Sequence, residues 1–213
     1  MPIVKIEQIN EDTKILIWYI QEDQSFFESH LRHLYERPFP WETMNHKRRR
    51  EFLATRYLIQ LGLPPGVQVN ELTKDQNGCP RISNPEIYLG ISHTKEYVGC
   101  VISNRPTGCD IEHYQPRIIR LSHRFMTEED LHWAEDHNQL MKTHLMWGIK
   151  ESAYKTWGKK RIDWNRHILI DPIDWNAKRG KFTGSIGNES GRISFLGEYE
   201  YFPDFLFVWT IQQ

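Results

Sequence analysis

Glu151 and Lys155 are the two residues whose types and spacing most directly suggest chemistry. They lie in residues 146–158, where Trp147, Glu151 and Tyr154 recur at three- and four-residue steps and therefore share one face of a predicted helix. A carboxylate in such a partly apolar stripe needs a hydrogen bond, an ion pair or a metal, because burying it alone is costly. Two interpretations stay open: a simple Glu–Lys pair one turn apart, or an acid and a cation that together handle a phosphate and its metal.

Asp110 and Glu112 form a second candidate group at the end of a predicted strand. Alternate residues of a strand share a face, so the two carboxylates point together while Ile111 points to the core. Adjacent carboxylates repel each other, and a divalent cation that prefers hard oxygen ligands, such as Mg²⁺, removes that penalty. The alternative is a pair of solvated acids at a strand end.

Basic residues upstream are candidate anion-binding groups. Arg49 and Arg56 lie on one face of a predicted helix, with Phe52 between them in the sequence. Guanidinium groups bind phosphate bidentately, so the pair either grips an anion or is simply solvated. The turn at residues 74–81 and the histidine His93 at a strand end have plainer alternatives, a hairpin tip and a structural histidine.

The elements that must position these groups indicate an α+β fold, with helices against a mostly antiparallel sheet in each half of the chain. Asp110 lies on the third strand of a predicted meander, and the long helix with Glu151 follows a capping box that begins at Thr127. A helix with Ser25 as its cap is predicted to run to Tyr35, and a second from Glu42 to Leu61. The predicted strands cover residues 3–6, 14–20, 87–92, 97–103, 108–112, 167–173, 180–186, 192–201 and 205–211.

Composition narrows the function class. The 213 residues suffice for one large domain or two small ones, and a formal net charge of -1 gives no global reason to expect nucleic acid. The three cysteines form no CxxC motif, and the ten histidines show no zinc-ligand spacing. No apolar run approaches the ~20 residues of a membrane helix, and no signal peptide is evident, so we expect a cytoplasmic protein without membrane or nucleic-acid partners.

In combination, these motifs resemble the signature of the 4′-phosphopantetheinyl transferase superfamily. Gly108-Cys-Asp-Ile-Glu112, followed by Trp147-Gly-Ile-Lys-Glu-Ser-Ala-Tyr-Lys155, is similar to its two main motifs. Ile91-Ser-His-Thr94, the Lys74-Asp-x-x-Gly-x-Pro80 turn and the helix with Arg49 and Arg56 resemble further motifs of its Sfp-type branch. The five motifs occur in order between residues 47 and 158, and the chain length also fits that branch.

The resemblance implies an enzyme that moves the phosphopantetheine arm of coenzyme A to a serine of an acyl or peptidyl carrier protein and releases adenosine 3′,5′-bisphosphate. It implies that Asp110, Glu112 and Glu151 bind Mg²⁺. It further implies that Glu151, or a water it orients, accepts the serine proton, and that Lys155 contacts the phosphate and stabilises the charge that develops there.

The resemblance also implies where the two substrates bind. The carrier protein is expected to dock near Gln115–Phe125, whose arginines and isoleucines suit an acidic, partly apolar partner helix. The residues expected to grip the phosphates and nucleotide of coenzyme A are Arg49, Arg56, Lys74, Arg81, Ser92 and His93.

The fold implied is an intramolecular pseudo-dimer of two similar α+β halves with the active site at their interface. Residues 1–103 would carry the coenzyme A phosphate grip, and residues 104–213 the metal site and the catalytic helix. The protein is expected to act as a monomer, in lipid or secondary metabolite biosynthesis.

Four residues depart from the family's pattern, of which Thr94 replaces a serine conservatively and Cys109 replaces an aliphatic residue. Gly148 replaces a small hydroxyl residue, and since a mid-helix glycine costs about 1 kcal/mol relative to alanine, close packing is expected there. Cys79 stands where the family often has a lysine, and Arg81 can supply the missing phosphate contact. Two other functions stay open: a different Mg²⁺-dependent transferase that acts on a nucleotide or diphosphate, and a non-catalytic relative that binds carrier proteins.

Overall fold

The computed structural model describes residues 2–213, which divide into two compact units. The first unit ends at Asn104 and the second runs from Arg105 to Gln213, whereas the sequence-based division falls between residues 103 and 104. Each unit packs helices on an antiparallel sheet, so the predicted α+β class is confirmed. Within residues 2–213, none of the helices combines the length and the apolar character needed to cross a membrane.

The first unit is built on six antiparallel strands. They are β1 (Ile3–Asn10), β2 (Thr13–Tyr19), β3 (Thr73–Lys74), β4 (Pro80–Arg81), β5 (Tyr88–Thr94) and β6 (Tyr97–Ser103), in the sheet order β1-β2-β6-β5-β4-β3. β1 and β2 form the predicted hairpin. β3 and β4 form a second hairpin whose tip contains Gly78 with a φ of +90°, as expected for an Asn-Gly turn.

Two helices accompany this sheet. Helix α2 (His46–Gly62) packs on β2 and β6, and helix α1 (Gln24–Leu31) packs on α2. The predicted start of α2 at Glu42 is wrong, because Asn45 caps the helix by accepting the backbone N–H of Arg48 at 3.0 Å. The predicted cap at Ser25 is also wrong, because α1 already begins one residue before it.

The second unit is built on five antiparallel strands. They are β7 (Thr107–His113), β8 (Ile168–Ile170), β9 (Arg179–Asn188), β10 (Gly191–Tyr201) and β11 (Phe205–Gln212), in the sheet order β7-β11-β10-β9-β8. β7 pairs with β11, with Asp110 opposite Val208. The predicted meander is therefore wrong at its third strand, since β7 belongs to a different sheet from β5 and β6. Periodicity locates a strand but does not identify its partner.

The helices of this unit are α3 (Arg117–Leu121), α4 (Glu128–Ala134), α5 (Gln139–Trp157) and α6 (Trp164–His167). The predicted capping box is confirmed, since Thr127 and Asp130 exchange hydrogen bonds at the start of α4. α5 lies across β7 and β11 and buries Leu145, Ile149 and Ala153. The long helix predicted from the sequence thus forms the main helical layer on this sheet.

Candidate active site

Close packing of α5 on the sheet brings the predicted acids and lysine together. A Cβ atom added to Gly108 of β7 would lie 2.2 Å from the Ser152 carbonyl oxygen and 2.7 Å from Lys155 Cβ. On the helix, a Cβ at Gly148 would lie 2.7 Å from Val208 Cγ2. Glycines on both elements therefore allow the close approach, and the packing expected at Gly148 is confirmed.

Lys155 reaches from α5 to the strand. Its Nζ donates to Asp110 Oδ1 at 2.9 Å and to the Cys109 carbonyl oxygen at 2.8 Å. Burial by itself lowers the pKa of Lys155, but the charges of Asp110 and Glu151 and the hydrogen bond to Asp110 outweigh it, so the net shift is upward. Because Lys155 bonds the strand, a simple Glu–Lys helix pair does not describe this site.

The carboxylates at the strand end are not solvated acids. Asp110 is only 4% exposed, and half-buried Glu112 accepts a hydrogen bond from Trp147 Nε1 at 3.4 Å. Burial and then the charge of Asp110 raise the pKa of Glu112 to about 7, with a smaller contribution from Glu151. Burial also raises the pKa of Glu151, with Lys155 opposing and Asp110 reinforcing the shift. The three carboxylates therefore sense one another electrostatically.

This donor set fits a hard divalent cation. Three carboxylates with one lysine leave an excess of negative charge, and all the candidate ligand atoms are oxygens, which Mg²⁺ prefers. Across residues 2–213, no three His, Cys, Asp or Glu side chains are already gathered as a metal-binding group. The carboxylates are thus coupled through their charges without forming a finished coordination shell.

The predicted arginines of the first unit are engaged with other side chains. Arg49 forms an ion pair with Glu28, which also pairs with Arg32 at 2.7 Å. The guanidinium carbon of Arg56 lies 3.3 Å from the centre of the Phe52 ring, and burial lowers the Arg56 pKa. Neither arginine is simply solvated, since both contact other side chains, and their binding of an anion stays a prediction.

The other predicted coenzyme A residues occupy two places on the sheet of the first unit. Lys74 and Arg81 lie on β3 and β4, and Arg81 pairs with Asp75 at 3.1 Å and faces Tyr88 at the start of β5. Ser92 and His93 lie near the other end of β5, roughly 13 Å further along at the usual strand rise. The sheet therefore separates these four residues into two pairs.

The predicted docking segment, Gln115–Phe125, contains α3 and a following 3₁₀ turn. Its exposed side chains include Arg117, Arg120 and Arg124, while Ile118 and Phe125 are buried. Leu121 is 40% exposed. The segment thus presents cations beside one apolar side chain, as the sequence suggested.

Two residues of α5 have contacts that the sequence does not predict. The hydrogen bond from Trp147 to Glu112 was missed, although the i,i+4 spacing of Trp147 and Glu151 placed this tryptophan on the face of the acid. Lys150 is only 1% exposed, and its Nζ donates to Asp130 Oδ2 at 3.2 Å and to the Trp164 carbonyl oxygen at 3.3 Å. No sequence pattern distinguished this buried lysine from a surface one.

Comparison with known proteins gives a family match to the region that contains the acid site, and several relatives of the chain. Residues 106–201 match the sequence model of the 4′-phosphopantetheinyl transferase superfamily. The 4′-phosphopantetheinyl transferase gsp of Aneurinibacillus migulanus is 34% identical over 112 residues, which are 51% of this chain and 46% of that protein. A 4′-phosphopantetheinyl transferase of Bacillus subtilis is 31% identical over 108 residues, which are 49% of this chain and 45% of that protein.

A third relative bears the name of the predicted branch. The 4′-phosphopantetheinyl transferase Sfp of Bacillus subtilis strain 168 is 31% identical over 78 residues, which are 35% of each chain. These matches confirm the resemblance to the superfamily and to its Sfp-type branch. The chain spans less than half the length of the curated relatives it matches.

Proposed function

We propose that this chain, whose residues 106–201 match the 4′-phosphopantetheinyl transferase superfamily, transfers the 4′-phosphopantetheine arm of coenzyme A to a serine of an acyl or peptidyl carrier protein. The observation that carries the proposal is the coupled group of Asp110, Glu112, Glu151 and Lys155 within the matched region. Phosphoryl transfer needs positioning and neutralisation of charge more than covalent catalysis, and these residues suit both tasks.

The bond changes define what the site must do. The serine hydroxyl oxygen of the carrier forms a bond to the phosphorus next to the pantetheine arm. The bond from that phosphorus to the bridging oxygen of the pyrophosphate breaks, and adenosine 3′,5′-bisphosphate leaves. One proton departs from the serine, and negative charge develops on the leaving phosphate.

Asp110, Glu112 and Glu151 would hold Mg²⁺, which when bound neutralises pyrophosphate charge and acts as a Lewis acid. Glu151 is the proposed acceptor of the serine proton, directly or through a water that it orients. Its raised pKa supports this role, because a more basic carboxylate accepts a proton more readily. Lys155 is cationic at neutral pH and would stabilise the charge on the transferred phosphate.

Coenzyme A is proposed to bind through basic and polar groups of the first unit. Arg56 supports this best, because its partners, the Phe52 ring and the Tyr35 hydroxyl, are uncharged and leave its positive charge available for a phosphate. Arg49 would share its charge between Glu28 and an anion. Lys74, Arg81, Ser92 and His93 complete the proposed set, and the carrier is proposed to dock at Gln115–Phe125.

The test is incubation of the protein with coenzyme A, Mg²⁺ and a panel of apo acyl and peptidyl carriers, followed by intact-mass measurement of each carrier. We expect one phosphopantetheine adduct per carrier, which disappears with EDTA or when the acceptor serine is replaced by alanine. No adduct on any carrier would refute the proposal. Tighter binding of another nucleotide than of coenzyme A would instead favour a different nucleotide-processing transferase.

A further inference from the structure

Trp147 links the acid group to the docking segment. Its ring lies 5.1 Å from that of Trp164 in a stacked arrangement, with an interplanar angle of 26°. On another side it meets the Phe125 ring edge-on, with 5.2 Å between centroids. The indole nitrogen donates to Glu112 Oε1 at 3.4 Å. Two aromatic neighbours thus hold a ring whose only N–H group is directed at a carboxylate.

We propose that Trp147 is a positioning residue that fixes the orientation of Glu112 for cation binding. The inference rests on the proposed function, since it takes Glu112 to be a Mg²⁺ ligand. Repulsion by Asp110 and Glu151 would turn the Glu112 side chain away from them, and the indole N–H opposes that movement. Groups that orient metal ligands in this way commonly affect metal affinity by one order of magnitude or more.

Trp157, on the same helix, provides a matched control. It is 6% exposed, and its Nε1 is buried without a hydrogen-bond partner among residues 2–213. Replacing either tryptophan by phenylalanine removes the same atoms from a packed environment. Only the change at position 147 removes a hydrogen bond to a proposed ligand.

The experiment titrates Mn²⁺, which prefers the same oxygen ligands, into the metal-free protein and measures the free ion by electron paramagnetic resonance. We expect Trp147→Phe to weaken Mn²⁺ binding about tenfold, and Trp157→Phe to leave it unchanged. Melting temperatures of the two variants should be similar, because both lose similar packing. Metal addition should also change the tryptophan fluorescence of wild type and of Trp157→Phe, but much less that of Trp147→Phe.

A double-mutant cycle separates positioning from general packing. In a Glu112→Gln background, Trp147→Phe should have no further effect on Mn²⁺ affinity, because the group through which it acts is gone. Equal affinities of wild type and Trp147→Phe, or an undiminished effect in the Glu112→Gln background, would overturn the inference but not the proposed function. A wild-type protein that neither binds Mn²⁺ nor modifies any carrier would refute the proposed function itself.

Discussion

In both units a helix with charged side chains packs on an antiparallel sheet, but the balance of positive and negative side chains is opposite. In the first unit, the buried carboxylate of Glu28 meets two guanidinium groups, those of Arg32 and Arg49. In the second, Lys155 contacts Asp110 and interacts electrostatically with Glu112 and Glu151, so three carboxylates share one ammonium group. The group around Glu28 therefore has a net positive charge, and the group around Lys155 has a net negative charge. This contrast in charge agrees with our proposals of an anion site in the first unit and a cation site in the second.

The largest expected effect comes from removing one of the surplus acids. Glu151→Gln and Asp110→Asn should each lower the rate of carrier modification about a thousandfold, because each removes a proposed cation ligand. Folding should be little affected, since loss of one carboxylate relieves repulsion among the others. Single-turnover assays with intact-mass detection measure the rate, and thermal melting monitors the fold. The control is Glu189→Gln, which changes an exposed residue in a turn and should leave the rate unchanged. Full activity of Glu151→Gln would show that the excess negative charge is not needed for catalysis.

The second prediction concerns the pH dependence of stability due to His144, a neutral histidine near the acids. It is 2% exposed, its Nε2 accepts the Gln115 backbone N–H at 2.8 Å, and burial lowers its pKa from 6.5 to about 4. Between those values the unfolded chain takes up a proton that the folded protein excludes. Stability due to neutral His144 is therefore complete above pH 6.5 and is lost as the pH falls towards 4, by up to about 3 kcal/mol.

Urea unfolding at pH 7 and pH 4.5 tests this expectation. The loss of stability between the two pH values should be smaller for His144→Gln, which keeps an acceptor for the Gln115 N–H. Replacement of the exposed His132 by Gln should leave the wild-type loss unchanged. Equal losses for His144→Gln and wild type would mean that His144 already carries a proton and does balance the acids.

A third prediction compares the two ionic groups directly, by removing Lys155 from one and Glu28 from the other. Lys155→Met leaves the acids without their cation and should destabilise the metal-free protein by about 2 kcal/mol, with partial recovery in millimolar Mg²⁺. Glu28→Gln deprives two arginines of their partner and should cost a similar amount, but Mg²⁺ should not restore it. Chemical unfolding with EDTA and with Mg²⁺ distinguishes the two cases. The same Mg²⁺ response in both variants would contradict a difference between the units.

Much of this contrast was accessible from the sequence, but not all of it. The alternation that puts Asp110 and Glu112 on one strand face, and the helical spacing of Glu151 and Lys155, are local patterns that tertiary packing preserved. The partner of β7 was not predictable in this way, because hairpin neighbours were the natural choice and the chain instead pairs residues far apart. The Arg49–Glu28 pair and the Trp147–Glu112 hydrogen bond also join distant segments, which no periodicity encodes.

A smaller effect is expected in the unit with surplus positive charge. Arg56→Ala and Arg49→Ala should each raise KM for coenzyme A about tenfold with little change in kcat, because they remove binding to a part of the substrate away from the reacting bond. Steady-state kinetics with varied coenzyme A measures this. Arg48→Ala, an exposed arginine of the same helix, should have no effect. An unchanged KM in both variants would mean that neither arginine binds the phosphates of coenzyme A.

The smallest expected effect is on stability, when a methyl group is added at the glycine where α5 packs on its sheet. The reference is the same change at Gly62 in α2 of the first unit. A Cβ at Gly148 would lie 2.7 Å from Val208 Cγ2, whereas one at Gly62 of α2 would lie 2.6 Å from Ile102 Cδ1 and 2.8 Å from Leu16 Cδ1. A valine methyl group is fixed by χ1, while the terminal carbons of isoleucine and leucine can also move by rotation about χ2. Gly148→Ala should therefore cost about 1 kcal/mol after its gain in helix propensity, and Gly62→Ala should cost less. Urea unfolding measures both, and Val208→Ala should remove most of the cost of Gly148→Ala because it empties the space that the new methyl group needs. If Gly148→Ala instead stabilises the protein, close contact between helix and sheet does not limit this position, and the glycine has another cause.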